Sequence, residues 1–281
     1  MKTILVTGAT SGIGLAAAQQ IAEEGDRLIL VGRNADRLTA AAERVRSAGA
    51  GAVDTIECDV ASQHSVRALA ATVLDSYARI DVLANNAGGF FMGRKESADG
   101  IETTFATNHL GGFLLTELLL DRLIDSAPAR VVFTSSVMHY GATMDFADLG
   151  YTHGYSAQKA YGRSKLANVM YARALSRRLA GTGVTANAFH PGTVATGIWD
   201  ALPAIVRPVL ALGKRMFMTS ADEGGRRLTY LAIDPNLVAV TGCYFHNDRV
   251  RPPSELARDD TAGDRLCAIS AELTGLPTPG A

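Results

Sequence analysis

Three cysteines in 281 residues, Cys58, Cys243 and Cys267, are too few and too far apart for a disulfide framework or a zinc cluster. They point to a reducing compartment, read here as cytoplasmic. Excess charge is lacking too: 27 basic against 28 acidic side chains leave a net charge of -1, which excludes the electrostatic footprint of a nucleic-acid binder. Long apolar runs are missing. Ile4-Leu5-Val6 is too short for a signal or a membrane span, and the stretch 113–120 is broken by Thr116 and Glu117, so no membrane anchor is expected. Proline is scarce at 9 residues and the 28 glycines follow no fixed period, against a collagen-like or low-complexity chain. What remains is a globular composition, 47% hydrophobic and 20% charged. At roughly 150 residues per domain, the length allows one domain or two.

Short apolar segments alternate with helical ones along the chain. The pattern predicts strands at 4–6, 27–31, 52–58, 82–84, 130–134 and 184–189. It predicts helices at 15–24, 35–47, 62–77 with Ser62 as N-cap, 98–126 and 155–180. Such alternation means an α/β fold, a Rossmann-type doubly wound parallel sheet covered on both faces. No linker divides it, so residues 1–281 read as one dinucleotide-binding domain. The irregular apolar stretch around 197–220, with Trp199, Pro203, Pro208, Met216, Phe217 and Met218, reads as a substrate lid. A helix at 222–233, a last strand near 242–245 and a polar tail with a short helix around 264–273 complete the reading.

The first strand stops at Gly8-Ala9-Thr10-Ser11-Gly12-Ile13-Gly14 and a helix follows. Helix N–H groups and the macrodipole there can receive a pyrophosphate, which makes Gly8, Thr10, Ser11, Gly12, Ile13 and Gly14 cofactor candidates. The second strand ends at Val31-Gly32-Arg33, where an NAD site would present a carboxylate to the ribose. Arg33 instead offers a fork suited to a 2′-phosphate, so NADP(H) is preferred and NAD(H) left open; the plain alternative is a solvated loop residue. Asp59 and Val60 are placed for the adenine edge, although Asp59 could equally cap the next helix. Tyr161 and Lys165, four apart on a helix, share a face, where a cation would lower a phenol pKa from its ordinary value of about 10. Tyr155 and Lys159 have the same spacing, but six residues rotate one pair roughly 240° from the other, so only one pair can face a cofactor.

Taken in order, the segments 7–14, Asn85-Asn86-Ala87-Gly88, Ser135-Ser136, Tyr161-Gly162-Arg163-Ser164-Lys165 and Pro191-Gly192 resemble the short-chain dehydrogenase/reductase superfamily. Ala160 to Asn168 and His190-Pro191-Gly192 resemble the branch of the retinol dehydrogenases and their bacterial relatives. The resemblance selects Tyr161 as general acid/base, with Lys165 lowering its pKa and binding the nicotinamide ribose, and leaves Tyr155 and Lys159 as a surface pair at the helix start. It implies that Ser136, not Ser135, binds the substrate carbonyl, and that Asn108 holds a helix kink and a water relaying protons from Lys165, unless it is a structural amide. Asn86, Ala87 and Gly88 would line the adenosine side. Pro191, Gly192 and Thr193 would lie beside the nicotinamide, and Thr196 would bind its amide or phosphate or cap the next segment.

The loop 137–154 is long enough to suggest binding. In it His139 and Tyr140, and elsewhere Phe90, Phe91 and Trp199, could touch substrate or simply pack. The histidines show no metal-ligand spacing, and no metal is expected. The expected partner is a small hydrophobic carbonyl or alcohol, interconverted by hydride transfer; a homo-oligomer is left open. Two rivals stand beside this reading: a non-catalytic NADP-binding sensor or scaffold, and a carbon–carbon double-bond reductase on the same fold. The expected lack of an N-terminal anchor would separate the chain from membrane retinol dehydrogenases and would count against a retinoid substrate.

Overall fold

The protein is described from a computed structural model covering residues 1–192 and 220–278, so the expected lid, Thr193, Thr196 and Trp199 lie outside the described residues. Eight strands form one sheet in the order β3-β2-β1-β4-β5-β6-β7-β8. They are β1 (Thr3–Thr7), β2 (Arg27–Gly32), β3 (Ala52–Glu57), β4 (Val82–Asn85), β5 (Ala129–Thr134), β6 (Val184–His190), β7 (Tyr244–His246) and β8 (Arg249–Arg251). All pairings are parallel except that of β7 with β8. Every residue of β1 and β6 is buried, as expected for parallel strands covered on both faces.

Successive side chains along β1 serve opposite cores. Leu5 joins Ile29, Val131 and Ala186 on one face, and Ile4 and Val6 join Leu28 and Leu30 on the other. The first core is closed by α3 (Gln63–Ser76), α5 (Gly111–Leu118) and α7 (Ala157–Arg178), the second by α1 (Gly12–Ala22), α2 (Ala35–Ser47) and α8 (Ala221–Ile233). Strand order reverses between β1 and β4, and in a doubly wound sheet the crevice beyond the carboxyl ends of two such strands is where ligands bind.

Three segments differ from the sequence reading. The stretch expected as one helix over 98–126 is α4 (Thr103–Phe105), a π turn at Ala106–Leu110, then α5 and α6 (Leu120–Asp125). The carbonyl of Asn108 accepts from Asn168 Nδ2 at 2.9 Å, a side-chain partner inserted into the helical ladder, which is a known cause of such local widening. Helix α7 starts at Ala157, leaving Tyr155 outside it. The expected polar tail carries an edge strand with no counterpart in the sequence reading, β8, and its expected helix around 264–273 is present as α9 (Asp260–Leu273), begun four residues earlier and burying Ala262, Leu266, Ser270 and Ala271. Its apolar stripe is built of small residues among charges, a weak signal in sequence. Asp259 caps α9 by accepting from Ala262 N at 3.0 Å, so Asp259→Ala should cost about 1 kcal/mol in chemical denaturation. No helix among the described residues is long and apolar enough to cross a membrane.

Candidate active site

The crevice between β1 and β4 is shaped by missing side chains. Gly8 has φ +67°, and a Cβ there would meet Ala87 Cα at 2.9 Å; one at Gly14 would meet the Gly8 carbonyl oxygen at 2.4 Å. Only glycine fits this turn, and it leaves the backbone open to a ligand approaching the start of α1. Ser11 at that start makes no side-chain cap, so the first amides of the helix have no side-chain acceptor there. Asn86 ties three strands together: its backbone N–H donates to Thr7 Oγ1 at 3.0 Å, its Nδ2 donates to the Thr7 carbonyl at 3.0 Å, and Thr134 Oγ1 donates to its Oδ1 at 3.3 Å. A small cavity of about 10 Å³ lies alongside, lined by Val60, Ala87, Thr107, Asn108 and Gly111 among others.

At the end of β2 a side chain on Gly32 would collide with Thr10 Cγ2 at 2.6 Å, so a carboxylate has no room at that position. The exposed Arg33 is the next residue. Asp59 does not cap the following helix. Ser62 does, accepting from Ser65 N, while Asp59 Oδ1 accepts from Ala61 N at 3.1 Å within its own turn.

The second half of the crevice belongs to β5 and α7. Tyr161 and Lys165 point the same way, with Lys165 Nζ 5.5 Å from the centre of the Tyr161 ring. Ser136, at the end of β5, has its side chain within hydrogen-bonding reach of the phenol. Burial nevertheless wins over that bond and pushes the Tyr161 phenol up to about 12. The expectation that Lys165 lowers this pKa is therefore not met by the chain alone. Lys165 is 3% exposed, and burial pulls its ammonium down to about 8. Its Nζ donates to the Thr134 carbonyl at 3.0 Å. Gly88 forms the floor: a Cβ there would stand 2.9 Å from Asn108 Oδ1 and 3.3 Å from Lys165 Nζ.

Asn108 is fully engaged. Its Oδ1 accepts from Gly89 N at 2.8 Å, and its Nδ2 donates to the Gly89 carbonyl and to Ser164 Oγ, both at 3.0 Å. It sits in the π turn and anchors the segment after β4 to α7. Ser135 is spent on structure, its hydroxyl donating to the Lys165 carbonyl at 2.7 Å. Pro191 is buried and Gly192 has φ +97°, so the chain turns sharply as it leaves β6.

The residues weighed as substrate contacts divide. Phe90 packs against the Tyr161 ring, centroids 5.5 Å apart, and keeps part of its surface open. His139 is fully buried: Nδ1 donates to the Ser136 carbonyl at 2.7 Å and Nε2 accepts from Ser254 N at 3.2 Å, so it supports Ser136 from behind. Tyr155 and Lys159 are not a surface pair. The Tyr155 hydroxyl donates to the Phe91 carbonyl at 3.1 Å, fastening the mouth of the crevice, while Lys159 is exposed. Arg163 escaped the sequence reading although it lies inside the Tyr161 to Lys165 segment. It is 3% exposed, donates to the carbonyls of Thr143 and Asp148, and stacks on Tyr151 at 3.7 Å, holding the loop after Ser136 in shape.

Comparison with known proteins gives consistent matches. The sequence pattern of the family described as short chain dehydrogenase matches residues 2–204. Human retinol dehydrogenase 13 is 39% identical over 284 residues, covering 99% of this chain and 86% of that protein. A Streptomyces sp. (strain C5) protein assigned provisionally as daunorubicin C-13 ketoreductase DnrU is 40% identical, covering 98% and 93%. The crystal structure of an uncharacterized protein from Mycobacterium Paratuberculosis superposes with a TM-score of 0.79 at 33% identity, covering 99% of this chain and 95% of that one.

Proposed function

The chain belongs to the short-chain dehydrogenase/reductase family, in its retinol dehydrogenase-like branch, and from that premise we propose that it is an NADP(H)-dependent reductase of hydrophobic ketones and aldehydes, or the dehydrogenase of the matching secondary alcohols. Family membership makes it an oxidoreductase that acts by hydride transfer on small molecules. The observation that carries the finer reading is the convergence of Ser136, Tyr161 and Lys165 beside Gly88. NADPH, when bound, supplies the hydride. The glycine turn and the start of α1 would hold its pyrophosphate, Val60, Asn86, Ala87 and Gly88 its adenosine side, with Asp59 toward the adenine edge, and Pro191 and Gly192 its nicotinamide side.

The chain's own groups would then handle the oxygen of the substrate. Ser136 donates to the carbonyl oxygen and Tyr161 delivers its proton there as charge develops. At near-neutral pH the Tyr161 phenol is protonated, which suits the acid needed for reduction. Lys165 supplies positive charge beside the phenol and donors to the ribose. Phe90 offers an apolar wall, which favours a hydrophobic substrate, and the kinship with a ketoreductase and a retinol dehydrogenase supports carbonyl and alcohol chemistry. Three unpaired thiols support a reducing, cytoplasmic setting.

The 2′-phosphate preference rests on Arg33 beside a Gly32 that admits no carboxylate. Arg33→Ala should weaken NADPH binding by roughly tenfold to a hundredfold while leaving NADH binding nearly unchanged, since a charge-assisted contact is worth about 1.5 to 3 kcal/mol. Fluorescence titration with both cofactors checks this. Equal losses for the two would assign Arg33 to structure instead. The proposed activity itself is tested by NADPH consumption with a panel of apolar aldehydes and ketones.

A further inference from the structure

Three buried side chains that this chemistry does not use stand in line between the C-terminal helix and the backbone that holds Lys165. They are Ser270 on α9, His109 in the π turn and Asn168 on α7, at 0%, 1% and 3% exposure. Their protons follow from their partners. Asn168 Nδ2 faces two carbonyl oxygens, that of Asn108 at 2.9 Å and that of Thr134 at 3.1 Å, and only the amide nitrogen can face two acceptors. Asn168 Oδ1 is therefore turned to His109 Nδ1 at 3.2 Å, and that nitrogen must carry the proton. Burial holds the His109 pKa down at about 4, so the ring is neutral near physiological pH and Nε2 keeps its lone pair. That lone pair accepts from the Ser270 hydroxyl at 3.0 Å.

The line ends at the site. The Thr134 carbonyl accepts from both Asn168 Nδ2 and Lys165 Nζ. The Asn108 carbonyl is the other anchor of Asn168, and the Asn108 amide reaches Ser164, whose hydroxyl donates to the Tyr161 carbonyl at 2.8 Å. We propose that Ser270, His109 and Asn168 are positioning residues through which the C-terminal helix fixes the Thr134 and Asn108 carbonyls and so the direction of the Lys165 ammonium beside Tyr161. The proposal rests on the reading under Proposed function. It makes α9, which begins beyond the matched family segment, a working part of the site. A fully satisfied buried network of this kind has one arrangement, and losing any member leaves unpaired groups whose cost falls on the rest.

The test uses the full chain with NADPH binding verified for each variant. Asn168→Ala should lower kcat roughly tenfold with the carbonyl KM within about twofold, and Ser270→Ala, which removes a single hydroxyl, should lower kcat by about threefold. Ser270→Cys, which keeps a weak donor, should recover part of that loss. Nitrogen NMR of Lys165 adds a readout independent of turnover. In Asn168→Ala the Thr134 carbonyl serves the ammonium alone, so the lysine should titrate at higher pH than in the wild type. Wild-type kcat and an unshifted Lys165 titration in folded Asn168→Ala and Ser270→Ala would overturn the proposal; if Asn168→Ala does not fold, Ser270→Ala alone decides. A wild-type protein that reduces no carbonyl would sink the proposed function instead. The NMR signal of His109 would still decide the network, since it must show the Nδ1–H tautomer and a protonated or Nε2–H ring overturns it.

Discussion

Tyr161→Phe should lower kcat for carbonyl reduction by about a thousandfold while leaving NADPH affinity within about twofold of the wild type. The substitution deletes one oxygen and keeps the ring that packs on Phe90, so fold and pocket shape should survive. A thousandfold is about 4 kcal/mol of barrier, within the range of a lost general acid. The pKa of the phenol gives the prediction a second handle. Burial raises it to about 12, so the proton is in place through the neutral range, and reduction by the wild type should be nearly flat at pH values below the Lys165 titration near 8. Alcohol oxidation needs the phenolate and should climb as pH rises. A reduction profile that already slopes well below that titration, together with a flat oxidation profile, would place the acid elsewhere. Steady-state kinetics in both directions across pH read both expectations.

Lys165→Met carries the second large effect. The methionine has nearly the length of the lysine and fills the same buried space, but brings no charge and no donor to the Thr134 carbonyl. Loss of a preorganised electrostatic contact in a dry site should cost about a hundredfold in kcat, with a raised KM for NADPH because the ribose donor is gone as well. The wild-type ammonium is held down at about 8 by burial, so its charge is present below that value and fades above it. The wild type should therefore lose reductase activity as pH rises through the Lys165 titration, and the methionine variant should show no such limb. A variant with the same descending limb would show that another group titrates there.

The sheet was legible because its strands are parallel and buried on both faces, which leaves short apolar runs such as Ile4 to Val6 and Leu28 to Val31 standing between helices. β8 was not, since Arg249, Val250 and Arg251 are all exposed on an edge strand and carry no pattern to read. Helix α9 was legible around 264–273, and only its first turn, from Asp260 to Gly263, escaped the pattern. The break in the helix after Phe105 was announced only by the resemblance, which gave Asn108 a helix kink; periodicity did not show it, because its partner, Asn168, lies 60 residues away on another element.

The site divides in the same way. Ser136, Tyr161, Lys165, Asn108 and the glycine turn stand in short motifs and could be found from sequence, and the structure brings them to one crevice. What holds them could not be found so. Ser254 behind His139, Ser270 behind His109 and Tyr155 against Phe91 meet across separations of 115, 161 and 64 residues, and such pairings exist only once the fold is made. The two Tyr–Lys pairs show the limit of spacing as a guide, because one begins on the loop before the helix and the other lies on the crevice face.

Hydride transfer to a carbonyl carbon is the central claim, and the most direct measurement of it follows the label from NADPH deuterated at nicotinamide C4 into product by mass spectrometry and NMR. The account predicts deuterium at the carbinol carbon of an apolar alcohol formed by the wild type, with almost none formed by Tyr161→Phe. Deuterium on the β-carbon of a reduced carbon–carbon double bond, with the carbonyl group left intact, or cofactor that binds tightly and transfers no label to any carbonyl compound, would contradict it.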